Sequence, residues 1–93
     1  MIKRNDISIL GKKYFPDILN SLLKSPKRFV DLCKICPNEK TRTAALKKLE
    51  QIGLVGTISL KLNERYFVHY KITNRGKEVA KILLDLKKIM SNK

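Results

Sequence analysis

The sequence has no tryptophan, one histidine and two cysteines. Two thiols cannot staple a small secreted scaffold, so a packed core must hold the fold. One histidine with two cysteines also falls short of the four ligands of a structural zinc, and no metal is expected. Glycine and proline are scarce, at four and three, which leaves no linker, no low-complexity tract and no second domain. No apolar run passes four residues, too few to cross a membrane as a helix. Met1-Ile2-Lys3-Arg4 is not followed by the apolar stretch of a secretory signal. The expectation is one cytoplasmic domain without membrane attachment. Catalytic constellations are missing as well: there is no glycine-rich phosphate loop, no H-E-x-x-H and no Ser/His/Asp grouping inside a motif. No catalytic residue, no enzymatic activity and no cofactor are expected.

Acidic residues are few. Eight Asp and Glu face 21 Lys and Arg, a net +13 on 93 residues. Such an excess favours a polyanion as partner. The charge runs the length of the chain and is not an appended tail. A hydrophobic content of 43% is enough for a core and excludes a disordered polycation. A chain this short buries only about 60–65% of its unfolded surface, so a partner subunit would add stability.

Apolar spacing divides the chain into elements. Ile7, Ile9 and Leu10 suggest a short helix or turn over 5–13, ending at Gly11. Phe15, Ile18, Leu19, Leu22 and Leu23 follow the stripe of an amphipathic helix, with Pro16 in its first turn. Ser25-Pro26 stops it. A second helix fits 27–36, with Phe29, Leu32, Cys33 and Cys36 on one face. Pro37 ends it, and Asn38 caps a third helix over 39–52 whose inner face is Ala45, Leu46, Leu49 and Ile52. Gly53 closes that helix. The period then becomes two. Strands are expected over 54–60 and 66–72, with 61–65 as the hairpin tip and Tyr66, Val68, Tyr70 and Ile72 on one side. Thr73 or Asn74 caps a last helix over 75–91. The fold class is α+β, mostly helical: a winged helix-turn-helix with a two-stranded β-wing and a long C-terminal helix.

Specific segments carry a resemblance. Leu10-Gly11-Lys12-Lys13-Tyr14 with Ile18-Leu19 and Leu22-Leu23 is similar to the opening of HxlR-type winged-helix regulators, within the MarR- and PadR-like superfamily. Ser25-Pro26-Lys27-Arg28-Phe29, Leu46-Lys47-Lys48-Leu49-Glu50 with Gly53-Leu54-Val55, and Tyr70-Lys71-Ile72-Thr73 with Gly76 resemble three later segments of that family, in its order. Pro16, Asp17 and Arg42 stand where the family carries apolar residues. The resemblance implies a homodimeric, DNA-binding transcription regulator without a cofactor.

On the third helix, the face opposite Leu46 and Leu49 holds Lys40, Thr43, Ala44, Lys47 and Gln51. Lysine reaches guanine acceptors, and threonine or alanine touches a thymine methyl. The N-terminal half of such a helix enters the major groove, so Lys40, Thr41, Thr43, Ala44 and Lys47 are the candidate base-reading residues. Arg42 and Lys48 flank that face as phosphate clamps or solvated charges. Lys12, Lys13, Lys27 and Arg28 sit at helix starts, where amide groups also favour phosphate. Arg65 is the candidate minor-groove or backbone contact of the wing, beside a repelling Glu64. His69 is expected on the exposed side of its strand. Val79, Ile82, Leu83, Leu86, Ile89 and Met90 form an apolar stripe larger than one small core can bury, the candidate dimer contact.

Cys33 and Cys36 form a C-x-x-C pair. Their spacing with Phe29 and Leu32 reads as core, with redox sensing as the alternative. The partner expected is double-stranded DNA, read by a homodimer. Two alternatives stay open: an architectural protein binding any DNA sequence through charge, and a winged helix serving as a protein-interaction module. Sixteen lysines against five arginines lean toward the first of these, because lysine gives fewer bidentate base contacts.

Overall fold

The computed structural model describes residues 14–91. The expected helix over 5–13, with Lys12 and Lys13, lies outside the described residues. The described residues form three α-helices and one hairpin: α1 (Tyr14–Lys24), α2 (Glu39–Gln51), β1 (Val55–Leu62), β2 (Arg65–Ile72) and α3 (Asn74–Ser91), with a 3₁₀ turn at Val30–Leu32 between α1 and α2. This is the winged helix-turn-helix arrangement. None of the described helices is long and apolar enough to cross a membrane.

The core follows from helical spacing. Phe15, Ile18, Leu19 and Leu22 of α1 meet Ala45, Leu46 and Leu49 of α2, and Leu32, Leu54, Val55, Ile72 and Ala80 close the cluster. Each fully buried leucine here adds about 1.5–3 kcal/mol. Leu23, expected on the same stripe, is exposed.

Both ends of α2 are closed as the sequence suggests. The Asn38 side-chain oxygen accepts the Thr41 N–H at 2.9 Å. At the other end Gly53 takes φ +81°, which only glycine adopts without strain. Its N–H donates to the Glu50 carbonyl and the Leu54 N–H to the Leu49 carbonyl, both at 3.0 Å. That pair of bonds is a Schellman closure.

The second helix expected over 27–36 is not formed; only Val30–Leu32 is helical, as a 3₁₀ turn. The reason lies at both ends. Lys27 is drawn out as a strand residue, exchanging backbone hydrogen bonds with Tyr70 of β2 at 3.0 and 2.7 Å. At the far end Pro37 and the cap residue Asn38 leave too few residues for regular α-helical turns. The Asp31 carboxylate accepts the Arg28 backbone N–H at 2.9 Å and fixes the tight turn. Cys33 is therefore exposed while Cys36 is buried, and the two do not share one inner face.

The hairpin is longer than expected and its tip is shorter. β1 and β2 pair antiparallel from Val55↔Ile72 to Leu62↔Arg65, so Lys61 and Arg65 are strand residues and only Asn63 and Glu64 turn. Both take positive φ, 49° and 73°, the requirement of a type I′ turn. Near the core Tyr70 and Ile72 face inward as expected, but Tyr66 and Val68 are exposed because the hairpin projects past the core. His69, expected at the surface, is 6% exposed. Its face of the hairpin also carries Phe67, with the Arg28 guanidinium over the Phe67 ring at 5.6 Å. Its Nδ1 lies 2.9 Å from the Phe67 carbonyl.

Thr73 caps α3. Its hydroxyl accepts the Gly76 N–H at 3.0 Å and donates to the Gly53 carbonyl at 2.7 Å, tying the end of α2 to the start of α3.

Candidate nucleic-acid interface

Helical geometry sorts the α2 candidates. Lys40, Thr41, Thr43, Ala44 and Lys47 are all exposed. Glu39, Lys40, Thr43, Ala44 and Lys47 line one open groove on the outer face of the helix. The side chains with donor and methyl chemistry thus share a surface, beside an N-terminus that carries a partial positive charge. Glu39 was not among the expected site residues. It opposes that charge in the first turn and stabilises the helix, while making the groove less cationic at one end.

Arg42 corrects the expectation of a phosphate clamp. It is 5% exposed and points into the protein. Its Nε donates to the Cys36 carbonyl at 2.9 Å, and its terminal nitrogens donate to the carbonyls of Pro37 at 3.1 Å and Phe29 at 3.3 Å. The guanidinium also lies 4.4 Å from the Phe29 ring centre. It is not available to a ligand. Spacing alone carried the signal: Arg42 is four residues before Leu46, on the inner stripe.

The flanking cations differ in freedom. Lys48 and Lys27 are half-buried. Arg28 is half-buried and pairs with Asp31, its Nε 3.4 Å from Oδ2. The Asp31 carboxyl is held below the usual carboxylate range, first by the Arg28 backbone N–H and then, against partial burial, by the Arg28 side chain. Arg28 therefore enters any phosphate contact with a carboxylate already beside it. Arg65 is exposed near the end of the hairpin and unhindered by the fold.

Two further features come from how the elements pack. Lys24, Lys71 and Lys77 border one cleft with Leu22, Leu23 and Ile72, gathered from three elements by the Lys27–Tyr70 pairing. On α3, Gly76 and Ala80 are the buried residues, and Val79 and Leu83 pack against the protein's own core. The rest of the expected dimer stripe is bare: Ile82 is 64% exposed, Leu86 49%, Ile89 71% and Met90 69%.

Comparison with known proteins agrees with this geometry. Reduced YodB of B. subtilis, a transcriptional regulator, has a TM-score of 0.77 and 26% identity over 95% of this chain and 90% of its own. The oxidised form of the redox regulator HypR has a TM-score of 0.75 and 26% identity over 94% and 92%. The HTH-type transcriptional regulator ytcD has a TM-score of 0.75 and 26% identity over 97% and 95%. No match was found among curated proteins. The profile of the HxlR-like helix-turn-helix group matches residues 9–93, and the chain belongs to the HxlR-like helix-turn-helix family.

Proposed function

We propose that this protein is a homodimeric transcription regulator that reads specific sequences in double-stranded DNA. The observation that carries this reading is the shared exposure of Lys40, Thr43, Ala44 and Lys47 on one groove of α2. Helix α2 enters the major groove with these residues and Thr41 toward the bases. Lys27, Arg28 and Lys48 contact phosphate on its flanks and position it. Arg65 brings the wing to the minor groove or backbone. The exposed apolar side chains of α3, Ile82, Leu86, Ile89 and Met90, pair with those of a second copy about a two-fold axis.

The test is selection of the purified protein against random double-stranded DNA at physiological salt. The expected product is a motif of two inverted half-sites about 34–36 Å apart. Binding without enrichment, weakening steeply with salt, would mean an architectural protein instead. Absence of binding would leave a protein-interaction module.

A second reading, redox control, rests on the exposed Cys33 beside the helix-turn-helix turn. Its test is DNA binding before and after treatment with diamide. Equal sensitivity of the wild type and C33S would remove it.

A further inference from the structure

Of the four arginines among the described residues, only Arg42 is buried. A buried cation ordinarily demands a counter-ion. Among the described residues no carboxylate lies within ion-pair distance of Arg42. Its charge is met by three backbone carbonyls, of Phe29, Cys36 and Pro37, and by the face of the Phe29 ring. The three carbonyls come from both ends of the segment that precedes α2. That segment contains only a three-residue 3₁₀ turn, so it lacks the stiffness of a regular helix. The guanidinium is a planar fork with donors in fixed directions. The backbone bonds within residues 28–36 hold the segment to itself, and one side chain from the first turns of α2 supplies directional bonds that tie it to that helix.

We propose that Arg42 is a positioning residue for DNA reading. It clamps residues 29–37 to α2 and thereby fixes the angle at which α2 presents Lys40, Thr43, Ala44 and Lys47. Its effect is on discrimination between sequences, not on charge-driven affinity, because the side chain meets no phosphate. An apolar side chain of similar length would fill the same space and leave the Cys36 and Pro37 carbonyls without their donor, while the Phe29 carbonyl would keep the Leu32 N–H at 3.2 Å. A lysine would keep the charge and lose the fork. The inference rests on the DNA-reading function proposed above.

The test uses the full chain with R42M and R42K, read in three ways. Amide hydrogen exchange over residues 29–41 is expected to quicken by about tenfold or more in both variants, while protection in α1 and α3 is kept. The ratio of affinity for the selected site to affinity for random DNA is expected to fall about tenfold, the scale of one lost base discrimination. The salt dependence of random-DNA binding is expected to stay at the wild-type slope. A slope reduced by about one unit would show that Arg42 neutralises a phosphate, and would overturn the proposal. So would unchanged exchange over 29–41, or an R42K variant that keeps the full ratio. If the wild type itself enriches no sequence, the DNA reading has failed and the inference falls with it. If all three proteins read the same site equally well, the DNA reading stands and the clamp alone is wrong.

Discussion

Gly76, in the first turns of α3, lies so close to the Leu54 carbonyl that a Cβ at this position would overlap it, and would stand 2.6 Å from the Ile72 Cγ1. The carbonyl also accepts the Thr73 N–H at 3.0 Å, so it is not free to move aside. This approach seats α3 on the α2–β1 junction. G76A is expected to destabilise the domain by about 2–3 kcal/mol, as overpacking of a rigid site does. Calorimetry should show a fall of roughly 10–20 °C in Tm. A fall under about 3 °C would show that the junction yields.

K47A and R65A should separate base reading from phosphate contact. K47A is expected to cost about 1–3 kcal/mol at the selected site and to relax preference at one base position. R65A should weaken all sequences alike and lower the salt slope by about one. Titrations of the selected and scrambled duplexes at several salt concentrations decide it. The reverse pattern would exchange the roles of α2 and the wing.

The wing tip carries removable strain. Glu64 holds φ 73° after Asn63 at 49°, and a side chain in this region costs about 1 kcal/mol relative to glycine. E64G should stabilise the domain by about 0.5–1 kcal/mol by completing the Asn-Gly type I′ pair. It also removes the acidic group beside Arg65, so DNA affinity should rise at low salt. Chemical denaturation and a binding titration measure both. Loss of stability would show that the Glu64 side chain makes a favourable contact.

Asp31 sets an acid limit. Its carboxyl is held below the ordinary 3.8, chiefly by the Arg28 backbone N–H. A depressed folded-state value stabilises the protein above the unfolded pKa, and that contribution is lost as pH falls through the folded value. The side chain is 37% exposed, so screening keeps the effect well under about 1 kcal/mol. D31N should melt slightly below the wild type at neutral pH, with the gap closing once the pH is well below 3.8. A gap independent of pH would assign the loss to packing instead of charge.

The bare face of α3 predicts the assembly. With Ile82 and Ile89 64% and 71% exposed, I82K/I89K should sediment as a folded monomer while the wild type sediments as a dimer. Its affinity for a paired half-site should fall about 10²-fold or more, because the second half-site no longer binds intramolecularly. A wild-type monomer would remove the dimer from the proposed function.

The apolar periodicities were enough to place α1, α2, the hairpin and α3, because each has a stripe that only one period fits. Asn38 and Gly53 marked the ends of α2, and of the two candidate caps Thr73 and Asn74 it is Thr73 that starts α3, since capping is local chemistry and needs no distant partner. The exposed groove of α2 was legible for the same reason: once Leu46 and Leu49 face inward, Lys40, Thr43 and Lys47 face out.

What the sequence could not decide were matters of partnership. Residues 27–36 have helical spacing, yet Tyr70, more than forty positions away, takes Lys27 into a sheet and leaves room for one 3₁₀ turn. Arg42 lies on the inner stripe, but a cation is buried only where acceptors already wait, and its three carbonyls exist as a set only after the turn has folded. His69 is buried on the hairpin face that also carries Phe67 and the Arg28 guanidinium over its ring, an arrangement that strand alternation alone does not reveal. The sequence alone determined the stripes of α1, α2, the hairpin and α3 and the outward cations of the α2 groove, which depend on neighbours within a few residues, together with the excess of positive charge. Only the tertiary structure decided that Arg42 and His69 are buried and that residues 27–36 form no regular helix, because that depends on dipoles and surfaces brought together from distant parts of the chain.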